Sequence, residues 1–399
     1  GKWAIRAGFG MFHERVRQND NSFDALGNPP VLYQPTLYNG NIDLTSSALV
    51  ANGLLSPSYV RTPAKDGHIP TIYSWSAGVQ HELPLHIGLD VAYVGNQARH
   101  LQYLSDLEQL PVGSTTGGLS TPPNGTWVAA LPYKGYSNIL FTSYGANSEY
   151  NALQIRATRR FSKTLTLGTD YTYAHNRDLA DGDYTGDLRD RFHPKLDYGP
   201  SGWDFRHVFN FNYVYEFPTL TNKSTFLRLL LGGWETSGIV RAWSGAPFSL
   251  FCGGNSGEAE NAGAPLNGQA FCDYVGGPVY LKKVTTVNGV LGHYWINPAA
   301  FQINTPGTLG NTTRNEFRGP GYQNWNLSLF KNFNFKENMR LQLRLETFNT
   351  FNHVQWAQNT SGDNTNSNGG INNTPGAYFG MPAGTRDPRN IQLGAKLYF

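Results

Sequence analysis

The chain has 399 residues and a formal charge of +3, with 15% charged residues, 14% aromatic residues and 45 glycines. Ordinary soluble domains carry roughly 25% charged residues. So few charges with so many aromatics argue against disorder, and a scattered +3 without a basic run argues against nucleic-acid binding.

Mean hydropathy is −0.42, and no apolar run nears the roughly 18 residues of a membrane helix. The nearest is Phe226 to Leu231, interrupted by Arg228. A membrane chain of this composition has to cross as strands, each with one apolar face, which leaves the average hydropathy unremarkable.

Alternation of period two dominates, and helical periodicity is almost absent. The first strand is predicted over Lys2 to Glu14, with Trp3, Ile5, Ala7, Phe9 and Met11 on one face. After a long polar stretch, strand two runs from about Thr71 to Leu83, with Tyr73, Trp75, Ala77 and Val79 sharing a face. A tight Pro84-Leu85-His86 turn leads to strand three, where Ile87, Leu89, Val91 and Tyr93 alternate with Gly88, Asp90 and Ala92. A long loop is expected from about Gln102 to Asn147, then strand four from Glu149 to Phe161.

The turn Ser162-Lys163-Thr164 opens strand five, which carries Leu165, Leu167, Tyr171 and Tyr173 on one face and ends in an acidic loop. Strand six, about Phe205 to Phe217, opposes Phe209, Phe211, Tyr213 and Tyr215 to Asn210, Asn212 and Glu216. Strand seven covers Trp234 to Trp243, and the longest loop follows. Strand eight, Asn324 to Phe335, alternates Trp325, Leu327, Leu329 and Phe333 with asparagine and serine. The turn Lys336-Glu337-Asn338 gives strand nine, with Met339, Leu341, Leu343 and Leu345 set against Arg340, Gln342, Arg344 and Glu346. A loop rich in Asn and Gly precedes strand ten, Asn390 to Phe399.

Connections therefore alternate between long and short. Outer-membrane barrels have this asymmetry, with short periplasmic turns and long extracellular loops, and a soluble sandwich gives no reason for it. Tyr73, Trp75, Trp203 and Trp325 fall near the extracellular strand ends, where an interfacial girdle belongs; the plainer alternative is that they are core aromatics of a sandwich. Ile391, Leu393, Ala395, Leu397 and Phe399 alternate up to the final residue. Such an apolar strand ending in an aromatic is what the barrel assembly machinery reads by strand addition.

Cys252 and Cys272 lie close together in a polar, Gly-rich stretch, which suits one loop disulfide in an oxidising compartment or two unpaired thiols. Asp178, Asp181, Asp183, Asp187 and Asp190 cluster after strand five beside Gly182 and Gly186. Oxygen ligands at such spacing suit a calcium site, and a merely solvated acidic loop is the simpler alternative. His13-Glu14 and His81-Glu82 sit on strands, so each pair divides between two faces. No phosphate loop, nucleophile elbow, H-E-x-x-H or C-x-x-C occurs, so neither an enzyme nor a cofactor is expected.

Several segments together resemble one known group: IYSWSAGVQHELP with IGLDVAYVGNQARHL, SEYNALQIRATRRFSKTLTLGTDYTYAH, WDFRHVFNFNYVYEFP, GGWETSGIVRAWSGAPF, and RNEFRGPGYQNWNLSLFKNF with MRLQLRLETFNTFNH. In order and content they are similar to Oar-like TonB-dependent transporters. The resemblance implies a 22-stranded outer-membrane barrel around an N-terminal plug, importing, exporting or displaying a bulky ligand with energy supplied through a TonB-type protein. The chain departs from that pattern: it has no plug and ten of the strands, and Gly1 is not an initiator residue. It is therefore expected to be the C-terminal part, 1–399, of such a barrel, processed or cut from something longer. Its expected partners are outer-membrane lipid, lipopolysaccharide and the assembly machinery, with the energiser reached only through the missing part and the ligand unknown. Two alternatives stay open, a small passive pore closed by pairing strands one and ten, and a surface adhesin working through its long loops.

Overall fold

The structure, a computed structural model, describes residues 3–14, 27–29, 31–32, 35–36, 56–57, 59–63, 65, 67–114, 132–133, 136, 138–160, 164–180, 188–218, 224–252, 270–336, 339–356 and 378–399. Ten long strands follow one another: β1 Trp3–His13, β2 Thr71–Leu83, β3 Ile87–Asp106, β4 Asn138–Arg160, β5 Leu165–Asp178, β6 His207–Glu216, β7 Trp234–Trp243, β8 Tyr322–Lys336, β9 Met339–Phe348 and β10 Asn390–Tyr398. Each pairs antiparallel with the next, in chain order across a single curved wall. The wall is not closed: among the described residues β1 pairs only with β2, and β10 only with β9.

The register shows why alternation was so clear. Ile5, Val79, Val91, Ile155, Tyr171 and Phe209 lie side by side across six strands. Leu329, Leu345 and Leu393 do the same across the last three. These side chains point away from the wall's concave side, and many are bare; Ile5 is 81% exposed and Leu393 78%. A soluble protein rarely shows an apolar patch of more than a few hundred Å². A face this wide has to be covered by lipid, and every backbone amide within it has to be paired by neighbouring strands. Where a strand supplies no side chain, a neighbour covers the gap: the Trp75 ring lies over its partner Gly95, so close that a Cβ there would meet it at 2.6 Å.

The short connections gather at one end of the wall. The Pro84–His86 turn is one of them, with Leu85 and His86 both at positive φ. In the turns before β5 and β9, residues Ser162, Lys163, Glu337 and Asn338 lie outside the described residues. The fourth, between β6 and β7, holds a short helix, α1 Thr225–Leu231, where no element was expected. Its seven residues are too few to show a period.

The other end corrects the expected loop from Gln102 to Asn147. β3 runs on to Asp106, and β4 begins at Asn138. At 20 and 23 residues they far exceed the roughly 9–11 that a tilted strand needs to cross a bilayer, so their far ends stand above it. There Tyr59–Pro63 joins β4 in parallel, and Leu104, Asp106 and Thr142 are buried.

Candidate functional site

The concave face of the wall is polar. At one level the register sets Gln80, Asp90, Arg156, Asp170, Asn210, Arg241 and Asn324 on seven neighbouring strands. Gln80 Nε2 donates to Asp90 Oδ2 at 2.7 Å, and Arg156 Nε to Asp170 Oδ1 at 2.5 Å. Of these, Asp90, Arg156, Asp170, Asn210 and Arg241 line a cleft of about 620 Å³. A second group lies nearer the short turns: Arg344 Nε donates to Gln342 Oε1 at 2.8 Å, and Gln342 Nε2 to Asn332 Oδ1 at 3.0 Å. Of these contacts the Arg156–Asp170 ion pair is exposed and contributes little stability, about 0–1 kcal/mol. Their meaning is the medium they require: charges at this density against hydrocarbon would be prohibitive, whereas water or a polar plug solvates them.

The long connections do not stand apart. Those after β3, β5, β7 and β9 fuse into one cap over the long-loop end. Phe248, Leu250, Ile296, Phe301, Phe317 and Phe379 form its apolar core, with the last residue supplied by the connection before β10. The expected long loop after β7 contains its own hairpin, Tyr280–Val287 with Val290–Ile296. Its two-residue turn, Asn288-Gly289, has both residues at positive φ, the primed turn that Asn-Gly favours. The sequence V-N-G-V was a local signal for it that the strand reading passed over. Gly245, where the chain leaves β7, sits against the Gly319 carbonyl; a Cβ would meet that oxygen at 1.8 Å, so no other residue fits without a shift.

Buried charge ties the cap to the wall. Asp204 is fully buried. Its Oδ1 accepts from the backbone N–H of Asn176 at 2.8 Å, and its Oδ2 from Arg206 Nε at 2.9 Å and from Arg318 Nη2. Burial pushes the Asp204 carboxyl up, but the Asn176 amide and the two guanidinium groups outweigh it and hold the group below its ordinary value. Arg314 Nη2 donates to Asp178 Oδ1 at 2.8 Å, and Arg189 pairs with Asp197 at 2.5 Å while lying 3.7 Å over the Phe271 ring. At the rim, Trp243 and Tyr322 stack at 3.8 Å on the concave side, and Arg386 lies 4.9 Å over Tyr322.

Of the five candidate calcium ligands, Asp181, Asp183 and Asp187 lie outside the described residues. Asp178 engages Arg314, and Asp190 lies 2.7 Å from His193 Nδ1. Among the described residues no group of three or more His, Cys, Asp or Glu is placed to hold a metal. His13 faces Thr71 Oγ1 at 3.0 Å, and His81 stacks on Trp3 at 3.6 Å. Trp203 stands exposed beside the cap, and Trp325 meets Phe351 edge-on. Ile391, Leu393, Ala395 and Leu397 pair with Thr347, Leu345, Leu343 and Leu341 and present a bare outer face up to Phe399.

Cys252 and Cys272 are joined in a disulfide, 20 residues apart in sequence, within the cap core. Closing a loop of this size stabilises by roughly 3 kcal/mol. The double substitution Cys252→Ser, Cys272→Ser is expected to lower cap stability by that amount and leave the wall intact. Hydrogen exchange of segments 244–252 and 270–321 measures it; unchanged protection there would refute it.

An antiparallel wall with a bare apolar outside, a charged inside and most of its elaboration at one end is that of an outer-membrane β-barrel. The chain belongs to the outer membrane beta barrel domain family, whose model matches residues 1–392, and its place is the bacterial outer membrane. No curated protein matches it in sequence. Among solved structures it is similar to the outer membrane transporter YddB from Escherichia coli, at 10% identity and a TM-score of 0.44, covering 100% of this chain and 39% of that one. The FrpB iron transporter from Neisseria meningitidis is 10% identical with a TM-score of 0.42, over 99% and 36% of the two chains. The ferric-catecholate import receptor Fiu from E. coli is 10% identical with a TM-score of 0.41, over 100% and 33%. The chain thus spans well under half the length of these structures.

Proposed function

We propose that the chain is the C-terminal part of the barrel of an Oar-like TonB-dependent transporter, which moves or displays a bulky ligand. The observation that carries this is the charged concave face on a wall whose two edge strands, β1 and β10, each have one partner among the described residues. Further strands would complete the wall, and a polar plug would occupy the side that Asp90, Arg156, Asp170 and Arg241 line. In this reading the cap meets the ligand outside the cell, with lipopolysaccharide around it. Ile391, Leu393, Ala395, Leu397 and Phe399 are the strand the assembly machinery reads, and a TonB-type protein acts through the plug.

An antibody against segment 253–269 of the long loop, applied to native outer membranes, tests the proposal. The expected band corresponds to at least about twice the length of this chain, taking a 22-stranded wall at 8–26 strands per known barrel as the guide. A heat-modifiable band at this chain's own size, with a stable unit conductance in planar bilayers, would replace the proposal with a small passive pore.

A further inference from the structure

The apolar run Phe226 to Leu231 has no role in the wall, yet the structure gives it a definite seat. It forms most of α1, and every residue of α1 is exposed, Phe226 by 73%. On the outer face of β8, where alternation calls for an apolar side chain, stands Lys331, only 6% exposed. Its ammonium donates to the Leu230 carbonyl at 3.2 Å and to that of Gly232, and lies 4.9 Å over the Trp234 ring. Trp234 Nε1 donates to the same Leu230 carbonyl at 2.9 Å. Carbonyls at a helix C-terminus lack partners within the helix and carry partial negative charge; a cation meets both needs and pins α1 to the wall. A groove of about 600 Å³ remains between α1 and the outer faces of β7 to β10, lined by Phe226, Leu229, Leu329, Phe333, Leu343 and Leu393.

We propose that this groove binds one acyl chain of a phospholipid from the periplasmic leaflet, with α1 as a clamp held by Lys331. The occupant follows from position. The groove is continuous with the lipid-facing belt and lies at the short-turn end, which is the periplasmic one. Its volume falls within the roughly 300–1,000 Å³ of small-molecule sites. An extended peptide would bring amide groups that need partners, and these side chains supply none; a hydrocarbon chain needs none. α1 also carries one exposed cation, Arg228, and an apolar helix with a basic residue is the composition of interfacial helices.

The inference rests on the outer-membrane wall and goes beyond its transport role. The test is native mass spectrometry of the full chain in detergent, with palmitoyl-oleoyl-phosphatidylglycerol as the probe. One lipid per chain is expected to be retained, and Leu229→Trp, which fills the groove from an exposed position, is expected to lower the bound fraction at least tenfold. Lys331→Met, which frees the clamp, is expected to do the same. Equal retention by the parent chain and Leu229→Trp, both heat-modifiable on gels, overturns the proposal. Absence of a heat-modifiable shift in the parent chain is a separate result that overturns the wall and the groove together.

Discussion

Asp204→Ala is expected to cost about 3–5 kcal/mol, the usual penalty for stripping one partner from a buried ionic cluster, and to loosen the cap from the wall. The reason is what remains behind: Arg318, whose guanidinium also reaches the Asp204 carbonyl, and Arg206 would keep their charges with no carboxylate between them. Asp204→Asn keeps the shape and some of the hydrogen bonds, so a smaller loss is expected.

Acid should act as the substitution does. The folded carboxyl titrates below its ordinary value, so its contribution is complete above the unfolded value of about 3.9. It declines as pH falls through the lower folded value. Hydrogen exchange of segments 188–206 and 270–321 from pH 7 down to pH 2 reads both effects. If Asp204→Ala shows the protection of the parent chain at pH 7, the carboxylate does not hold the cap.

A charge on the outer face should be nearly as damaging. Ile155 and Gln154 are neighbours on β4 that face opposite sides, Ile155 between Val91 and Tyr171, and Gln154 between Ala92 and Thr172. Ile155→Arg places a guanidinium against hydrocarbon and is expected to cost about 2–4 kcal/mol, while Gln154→Arg adds one to a face that already holds Arg156 and is expected to cost less than 1 kcal/mol. Urea titration of both variants folded into phosphatidylcholine vesicles compares them. Equal midpoints would mean that the two sides of the wall meet the same medium, and the assignment of faces would fall.

Much of the wall was legible from residues alone. A strand places alternate side chains on opposite faces, and a membrane punishes any error of sign, so Leu327, Leu329, Phe333 and their neighbours announce both the strand and the side they face. Three of the short turns were equally plain, because about three residues between two alternating runs leave room for nothing else. What the sequence could not disclose lies where partners are distant along the chain. Arg314 meets Asp178 across 136 positions, and Arg318 meets Asp204 across 114. No local period records such pairs, so the long connections read as separate loops when they are one cap with its own core. Asp178, read in the sequence only as part of an acidic cluster, meets Arg314 in the fold.

Lys331 makes the same point at the opposite end. In the sequence it is a flaw in an apolar face, and in three dimensions it is the counter-charge for the end of α1. Alternation along each strand therefore settled which side of the wall each residue faces, because backbone geometry and the surrounding medium act on every residue independently. Tertiary structure alone decided how the connections close over the wall, because those contacts depend on which distant segments share the space above and below it.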